Sequence, residues 1–575
     1  MQLAEFWGVG PKTAELLERE LGVPAAIEAI ESADSRALVS AGVPAGRATR
    51  ILRRANGGEG LDTLATRDAR SVYRDLLSQA ETYAVTARAG DRIRVLTPLR
   101  TRGEITERLD RVADATDSWR ALTEGKRAAV LAAFADHDSL DGGERAAVET
   151  AIALADLGID DGIFAPLAGL DTDELAEAAV ALRALEGDRL GEGADDELDT
   201  LRQGLGRVED LLASGAVLEA VKNEARDASE FRDAFLRYVV DETGLPRSDV
   251  REAMAGDAVD AEGFITESLR ALAGELRTRV DERETAVAES LRATVEATRE
   301  AVDEAVDTVE SLAFAVSLAR FADAYDLTRP TISEEDVLAV RAARNIDLLD
   351  RGEDVQSITY AVGDHSLDVP PGRVSVLTGA NSGGKTTLLE TLCQVQLLGQ
   401  MGLPVPAGEA ELGLVDSVVF HRRHASFNAG VLESTLRSVV PPLTASGRTL
   451  MLVDEFEAIT EPGSAADLLH GLVTLTVEQE AVGVFVTHLA EDLEPLPETA
   501  RVDGIFAEGL TPDLELEVDY QPRFGTLGRS TPEFIVSRLV AQSTDRAERA
   551  GFEVLARAVG KEAVQRTLAD ARWQE

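Results

Sequence analysis

Gly379-Ala380-Asn381-Ser382-Gly383-Gly384-Lys385-Thr386-Thr387 is the stretch that decides the fold. It fits G-x-x-x-x-G-K-[ST], a loop whose backbone N–H groups cradle a polyphosphate. The residues before it, Val374-Ser375-Val376-Leu377, read as a short buried strand. Those after it, from Thr387 to Leu392, read as the opening of a helix. A strand and a helix on either side are what the motif requires. The glycines let N–H groups turn inward, and the helix N-terminus adds partial positive charge. Lys385 is placed to reach the β- and γ-phosphates of ATP, and the Thr386 hydroxyl to ligate Mg2+.

Such a loop implies a second strand ending in acid. Thr449-Leu450-Met451-Leu452-Val453 carries no charge and runs into Asp454-Glu455. Asp454 is expected to hold Mg2+, and Glu455 to polarise the attacking water. A third strand, Val482 to Val486, ends at Thr487-His488, where a polar side chain can sense the γ-phosphate. Strands separated by helical stretches imply a parallel α/β sheet with its ligand at the carboxyl ends.

Composition bounds the rest. The 575 residues carry 104 Asp and Glu against 58 Lys and Arg, a net charge of −46. Only five of the basic residues are lysine: Lys12, Lys126, Lys222, Lys385 and Lys561. Acid excess, scarce lysine and few aromatics read as adaptation to concentrated salt, where the Debye length falls to about 3 Å. The charge therefore does not exclude a nucleic-acid partner. One cysteine, Cys393, excludes an internal disulfide framework and reads as a packing residue on the helix after the loop. No apolar run long enough to span a bilayer appears, so a soluble, cytoplasmic protein is expected.

The chain reads as a multidomain α plus α/β protein. Residues 1–57 form a small helical unit. Phe6-Trp7-Gly8-Val9-Gly10-Pro11-Lys12 is a hydrophobe–Gly–hydrophobe–Gly turn entering a helix, and Ala41-Gly42-Val43-Pro44 repeats it without the second glycine. This resembles a tandem helix-hairpin-helix module. The resemblance implies that the Gly8–Gly10 turn aims N–H groups at a DNA phosphate, with Lys12, Arg47 and Arg50 adding charge and no base being read. A protein-interaction domain is the alternative. Ala55 to Gly60 reads as a flexible break. Residues 61–190 read as a helical core domain interrupted by one strand-like piece, Arg92 to Leu96, with joints such as Asp141-Gly142-Gly143. Helical periodicity over about 197–241 and 263–326 predicts two long helices, a coiled-coil-like arm within 191–339 whose irregular tip lies near 244–261. The α/β ATPase domain is expected over 340–540. It includes an alternating strand at 514–518 and a glycine-rich turn at 524–530, and C-terminal helices follow over 541–575.

The loop domain with an arm before it resembles the MutS family of DNA-binding ATPases. Thr378-Gly379-Ala380-Asn381-Ser382-Gly383-Gly384-Lys385-Thr386-Thr387 is similar to the family's TGPNMGGKST, and Gly402-Leu403-Pro404-Val405-Pro406-Ala407 to its G-x-x-V-P-A. Asp454-Glu455 and Thr487-His488 stand where the family has DE and TH, and Ser317-Leu318-Ala319 and Tyr325–Pro330 resemble the end of its lever helix. There are departures. The F-x-E mismatch wedge and the small nuclease domain of other branches are not expected. Ala425-Ser426-Phe427-Asn428 stands near the family's S-T-F-M, and Glu457-Ala458-Ile459-Thr460 replaces G-R-G-T. The pattern is similar to short archaeal MutS-like proteins from halophiles. It implies a homodimeric clamp on double-stranded or structured DNA, driven by ATP and Mg2+, in repair or recombination control. Two alternatives stay open. One is a coiled-coil chromosome-maintenance or break-repair ATPase, which would place its arm after the loop and carry L-S-G-G-Q. The other is a DNA scaffold that holds ATP without turnover.

Overall fold

The computed structural model describes every residue except 1, 2, 4, 5, 7, 32, 56, 57, 141, 186–189, 226, 227, 257–259, 380–383, 424–428, 460, 461, 512, 513, 515, 529–531, 574 and 575. Ala380 to Gly383 of the phosphate loop and the segment 425–428 therefore lie outside the described residues. So do Trp7, Asn56, Gly57, Thr460, and parts of the arm tip and of the glycine-rich turn.

The chain forms two compact units. One comprises 1–131, 161–163 and 311–575, and the other 132–160 and 164–310. The expected division at 190 does not coincide with either boundary, because residues 61–131 pack against the α/β sheet. The first unit opens with α1 (Pro11–Glu20), α2 (Val23–Glu31), α3 (Ser35–Ser40) and α4 (Ala45–Ala55) around Leu17, Ile30, Leu38 and Leu52. After a 3-10 turn at Gly58–Thr63 come α5 (Arg67–Glu81), α6 (Ala87–Arg94) and α7 (Arg102–Ala121).

The strand expected at Arg92–Leu96 is the last turn of α6 and its exit. Apolar and basic residues alternate there, but Thr86 caps the helix by accepting from the Ala89 N–H, and Ala89, Gly90 and Ile93 face inward. The break expected near residue 58 is also tighter than its glycines imply. A Cβ on Gly60 would stand 1.8 Å from the Pro98 carbonyl oxygen. Arg53 Nε donates to the Arg94 carbonyl at 3.3 Å, and Val95 completes the N-terminal core.

The second unit is helical. It takes in the second half of α8 (Glu124–Ser139), then α9 (Glu144–Ala155), α10 (Thr172–Leu185), α11 (Asp196–Ser214), α12 (Val217–Glu224), α13 (Ala228–Thr243), α14 (Arg247–Glu252), α15 (Ala261–Ala297) and the start of α16 (Arg299–Ala324). The first expected long helix is thus three helices. Gly215, in the left-handed conformation at φ 62°, stops α11, and extended Ala225 stops α12. The second is two helices. Thr298 turns its hydroxyl back onto the carbonyls of Thr294 and Val295, a bond that competes with regular helix. The 37 residues of α15 alone run about 55 Å at 1.5 Å per residue. Its Leu269, Leu272, Leu276 and Val280 share a core with Leu201, Val208 and Phe235. The tip is not wholly irregular, since α14 falls there.

The α/β part begins earlier than residue 340, with β1 (Thr331–Ser333) and β2 (Val337–Ala343), followed by α17 (Ile346–Asp350) and β3 (Ile358–Gly363). Then come β4 (Val374–Gly379), α18 (Lys385–Gln400), β5 (Glu409–Gly413), β6 (Ser417–His421), α19 (Ala429–Thr444), β7 (Thr449–Asp454), α20 (Pro462–Glu478), β8 (Val482–Val486), β9 (Ala500–Leu510) and β10 (Leu516–Phe524). A small sheet has the order β1-β5-β2-β3, and the large one β10-β9-β4-β8-β7-β6. In the large sheet β9, β4, β8, β7 and β6 are parallel, and β10 returns antiparallel along β9. The alternation at 514–518 marks only the start of β10. Three helices close the chain: α21 (Pro532–Gln542), α22 (Arg546–Val559) and α23 (Lys561–Trp573). The first of them starts before the expected position of 541.

Residues 64–66 extend the β6 edge of the large sheet. Leu64 bridges Val418, and the Thr66 hydroxyl donates to the Phe420 carbonyl at 2.6 Å while accepting from its N–H. Covering an edge strand in this way removes a site for unwanted pairing.

Candidate functional site

β4 lies at the middle of the large sheet, with β9 on one side and β8 on the other. β8 in turn separates β4 from β7, so the carboxyl ends of these strands deliver Gly379, Thr487-His488 and Asp454-Glu455 side by side. The ladder continues past the strand ends. Thr487 N–H bonds the Leu377 carbonyl at 3.1 Å, and Glu455 N–H bonds that of Val486 at 3.0 Å.

Two glycines of the loop are fixed by close approach. Gly379 sits at φ 137°, and a Cβ there would fall 2.1 Å from the Ile505 carbonyl oxygen. Gly384 sits at φ 72°, with the Tyr520 ring against it. Gly528, from the turn after β10, packs directly on Gly379, and its N–H donates to the Thr378 hydroxyl at 2.6 Å. That turn therefore braces the start of the glycine-rich loop at Thr378 and Gly379. Tyr520 is a residue the sequence did not flag. It lies 41% exposed, with its ring against Gly384. A lone tyrosine on an edge strand gives no periodic signal.

Lys385 opens α18 and is buried, with Nζ donating to the Gly379 carbonyl at 3.0 Å. Burial pushes its pKa down, against the pull of Glu455 and Asp454. The Thr386 hydroxyl donates to Asp454 Oδ2 at 2.7 Å. Asp454 is 2% exposed, and burial raises its pKa. Its other oxygen, Oδ1, is buried and has no hydrogen-bond partner among the described residues. A buried carboxylate oxygen left unsatisfied beside a threonine hydroxyl fits a hard divalent cation such as Mg2+. Thr387 follows on the same helix, and its carbonyl accepts from Thr391.

Glu455 stands at φ 41°, a strained position for a side chain this size. Oε1 is 3.0 Å from His488 Nε2, and Oε2 accepts from Arg423 Nη1 at 2.6 Å. The His488 hydrogen bond leads in lowering the pKa of Glu455. Glu457 seats the histidine, its Oε1 accepting from the Thr487 hydroxyl at 2.9 Å and the His488 N–H at 2.7 Å. Sequence reasoning treated Glu457 only as a departure and missed Arg423 altogether.

Far from these strands, Gly8 and Gly42 share one conformation, φ 83° and 91°. The packing is reciprocal. Ile51 of α4 lies under Gly8, and Leu16 of α1 lies under Gly42. Val9 and Val43 are buried at matching places. Gly10 caps α1, while Pro44, which lacks an N–H, stands at its counterpart before α4. Arg47 Nη2 reaches the Gly8 carbonyl at 3.5 Å, and Lys12 is exposed on α1.

Residues 375–503 match the family model of MutS domain V. The matched span begins and ends on two residues that touch, Ser375 donating to Asp503 at 2.6 Å. The DNA-binding protein MutS2 of Pyrococcus furiosus is 44% identical over 218 residues, 37% of this chain and 38% of that one. The DNA mismatch repair protein MutS of Sorangium cellulosum is 29% identical over 371 residues, 60% of this chain and 39% of that one. That of Salinibacter ruber is 26% identical over 325 residues, 53% and 35% respectively. The chain thus spans under two fifths of the length of these relatives. The MutS domain V match encloses the glycine-rich loop, both acids and His488.

Proposed function

We propose that this chain is an ATP-hydrolysing, DNA-binding protein of the MutS kind that works as a homodimer. The observation that carries the reading is the convergence of Lys385, the Thr386–Asp454 pair and the Glu455–His488 pair at adjoining strand ends. Lys385 and the loop amides hold the β- and γ-phosphates. Thr386 and Asp454 are the residues that would hold Mg2+, which supplies charge neutralisation of the triphosphate when bound. Glu455 orients the attacking water, and His488, seated by Glu457, fixes the carboxylate. Tyr520 offers its ring to the base.

The paired Gly8 and Gly42 turns support phosphate binding by the N-terminal module, chiefly through the Gly8–Gly10 side. N–H donors suit concentrated salt, where affinity gained by counterion release falls away.

The test is binding of homoduplex, mismatched and branched DNA in concentrated potassium chloride, with and without ATP, for the wild type and a Lys12→Glu/Arg47→Glu double variant. ATP-dependent affinity that the double variant loses supports the reading. Affinity indifferent to both ATP and the variant contradicts it, and so does a strictly monomeric protein in the presence of nucleotide.

A further inference from the structure

We infer that Arg423 is a second cation of the nucleotide site: here it neutralises Glu455, and with a nucleoside triphosphate bound it engages the terminal phosphate and releases Glu455 to orient water. This rests on the ATPase reading above.

The placement follows from register. β6 and β7 run parallel, their pairing ends with His421 beside Val453, and Arg423 and Glu455 each lie two residues beyond that pair. The two arginines face different ways. Arg422 is tied down, its N–H bonded to Asp68 at 2.9 Å, its guanidinium paired with Glu390 and lying over the Phe420 ring. Arg423 points into the site and pairs with Glu455 at 2.6 Å.

The pair is unequal. Glu455 is 13% exposed and held on its other oxygen by His488, whereas Arg423 is 57% exposed. The acid is therefore the fixed partner and the arginine the free one. An exposed guanidinium leaves a carboxylate at little cost. A terminal phosphate carries more charge and offers the planar fork two oxygens.

The pairing also has a consequence for catalysis. A carboxylate neutralised by arginine on one oxygen and histidine on the other is poorly placed to hold water. Transfer of Arg423 couples loading of the triphosphate to exposure of one Glu455 oxygen. A diphosphate, lacking the terminal group, leaves the pair intact.

The experiment uses the full chain as wild type, Arg423→Ala, Arg423→Lys and Lys385→Ala. Affinities for ADP and for a non-hydrolysable ATP analogue are read by displacement of a fluorescent ADP, and phosphate release is read separately. For Arg423→Ala we expect ADP affinity within about two-fold of wild type, analogue affinity about ten-fold weaker and turnover about ten-fold slower or more, since arginines on a transferring phosphoryl group contribute at least that much. Arg423→Lys should fall between, keeping charge but not the fork. Unchanged analogue affinity, with turnover equal or faster, would overturn the inference and leave the pair a simple restraint on Glu455. A wild type that binds neither nucleotide, like Lys385→Ala, would overturn the ATPase reading and this inference together. A wild type that hydrolyses ATP beside an indifferent Arg423→Ala would sink the inference alone.

Discussion

Replacing Asp503 should loosen the sheet end that carries the phosphate loop. Asp503 is fully buried at the end of the matched domain. It accepts from Tyr360 at 2.9 Å, Ser375 at 2.6 Å, Arg501 Nε at 2.9 Å and the Gly525 N–H at 3.2 Å. Its own carbonyl accepts from Thr378, one residue before Gly379. Arg501 is 9% exposed, so Asp503→Ala leaves a buried cation whose remaining partners among the described residues are the Pro370 and Ala361 carbonyls and the rings of Tyr360 and Phe524. Removing one partner of a buried pair costs about 3–5 kcal/mol, and the two remaining carbonyls favour the lower end. With unfolding entropy near 2.1 cal/mol/K per residue and a cooperative unit of about 400 residues, the first unit, that is a fall of about 4–5 °C in melting temperature. Asp503→Asn keeps the shape, loses the charge and should fall most of the way. The assay is scanning calorimetry at fixed potassium chloride, with Arg437→Ala as control. The Arg437–Glu433 pair is 78% and 66% exposed, and its loss should move the transition by no more than about 2 °C. Raising salt should not rescue Asp503→Ala, because buried pairs are little screened. A shift no larger than the control's would refute the reasoning.

Gly379→Ala should abolish nucleotide binding, since its methyl would meet the Ile505 carbonyl at 2.1 Å, while Gly46→Ala, with open space around it, should bind as wild type; fluorescent-nucleotide titration decides. Asp195 caps α11 and is held by the Arg283 fork and the Leu198 N–H, which bring its pKa from 3.8 down to about 2. A depressed acid stabilises fully above its unfolded value and loses that contribution as pH falls through its folded one. Protection of the first turn of α11 from hydrogen exchange should therefore decline between about pH 4 and 2, and Arg283→Ala should move that decline to higher pH. Cys393 is fully buried and its thiol is pushed up by burial, so alkylating reagents should leave it untouched until the protein unfolds; mass spectrometry of the native protein checks this.

The site was legible because strand, glycine turn and paired acid obey local rules. Val374–Leu377, Thr449–Val453 and Val482–Val486 are apolar runs with chemistry at their ends, and their register follows from being parallel neighbours. What the sequence hid depends on long-range contact. The role of Arg423 exists only because β6 pairs with β7, and that of Tyr520 only because β10 returns along β9. Asp503 is a single acid in a mixed stretch, and nothing local marks it as the anchor of three strands. The helical part misled for a different reason. Apolar periodicity runs through Gly215 and Thr298, and only backbone conformation and back-bonding reveal where the helices stop. At Arg92–Leu96 an alternating pattern was overruled by a threonine cap six residues upstream of its start.

The role proposed for Glu455 is to drive hydrolysis of ATP at the end of β7. Its most direct test is phosphate release by Glu455→Gln beside wild type, with ATP affinity measured on the same samples. Wild-type turnover with unchanged binding and a loss of about a hundred-fold or more in the variant is the predicted result, the scale expected when a positioned base is removed. Equal rates in the two proteins, or no turnover in either, would contradict it.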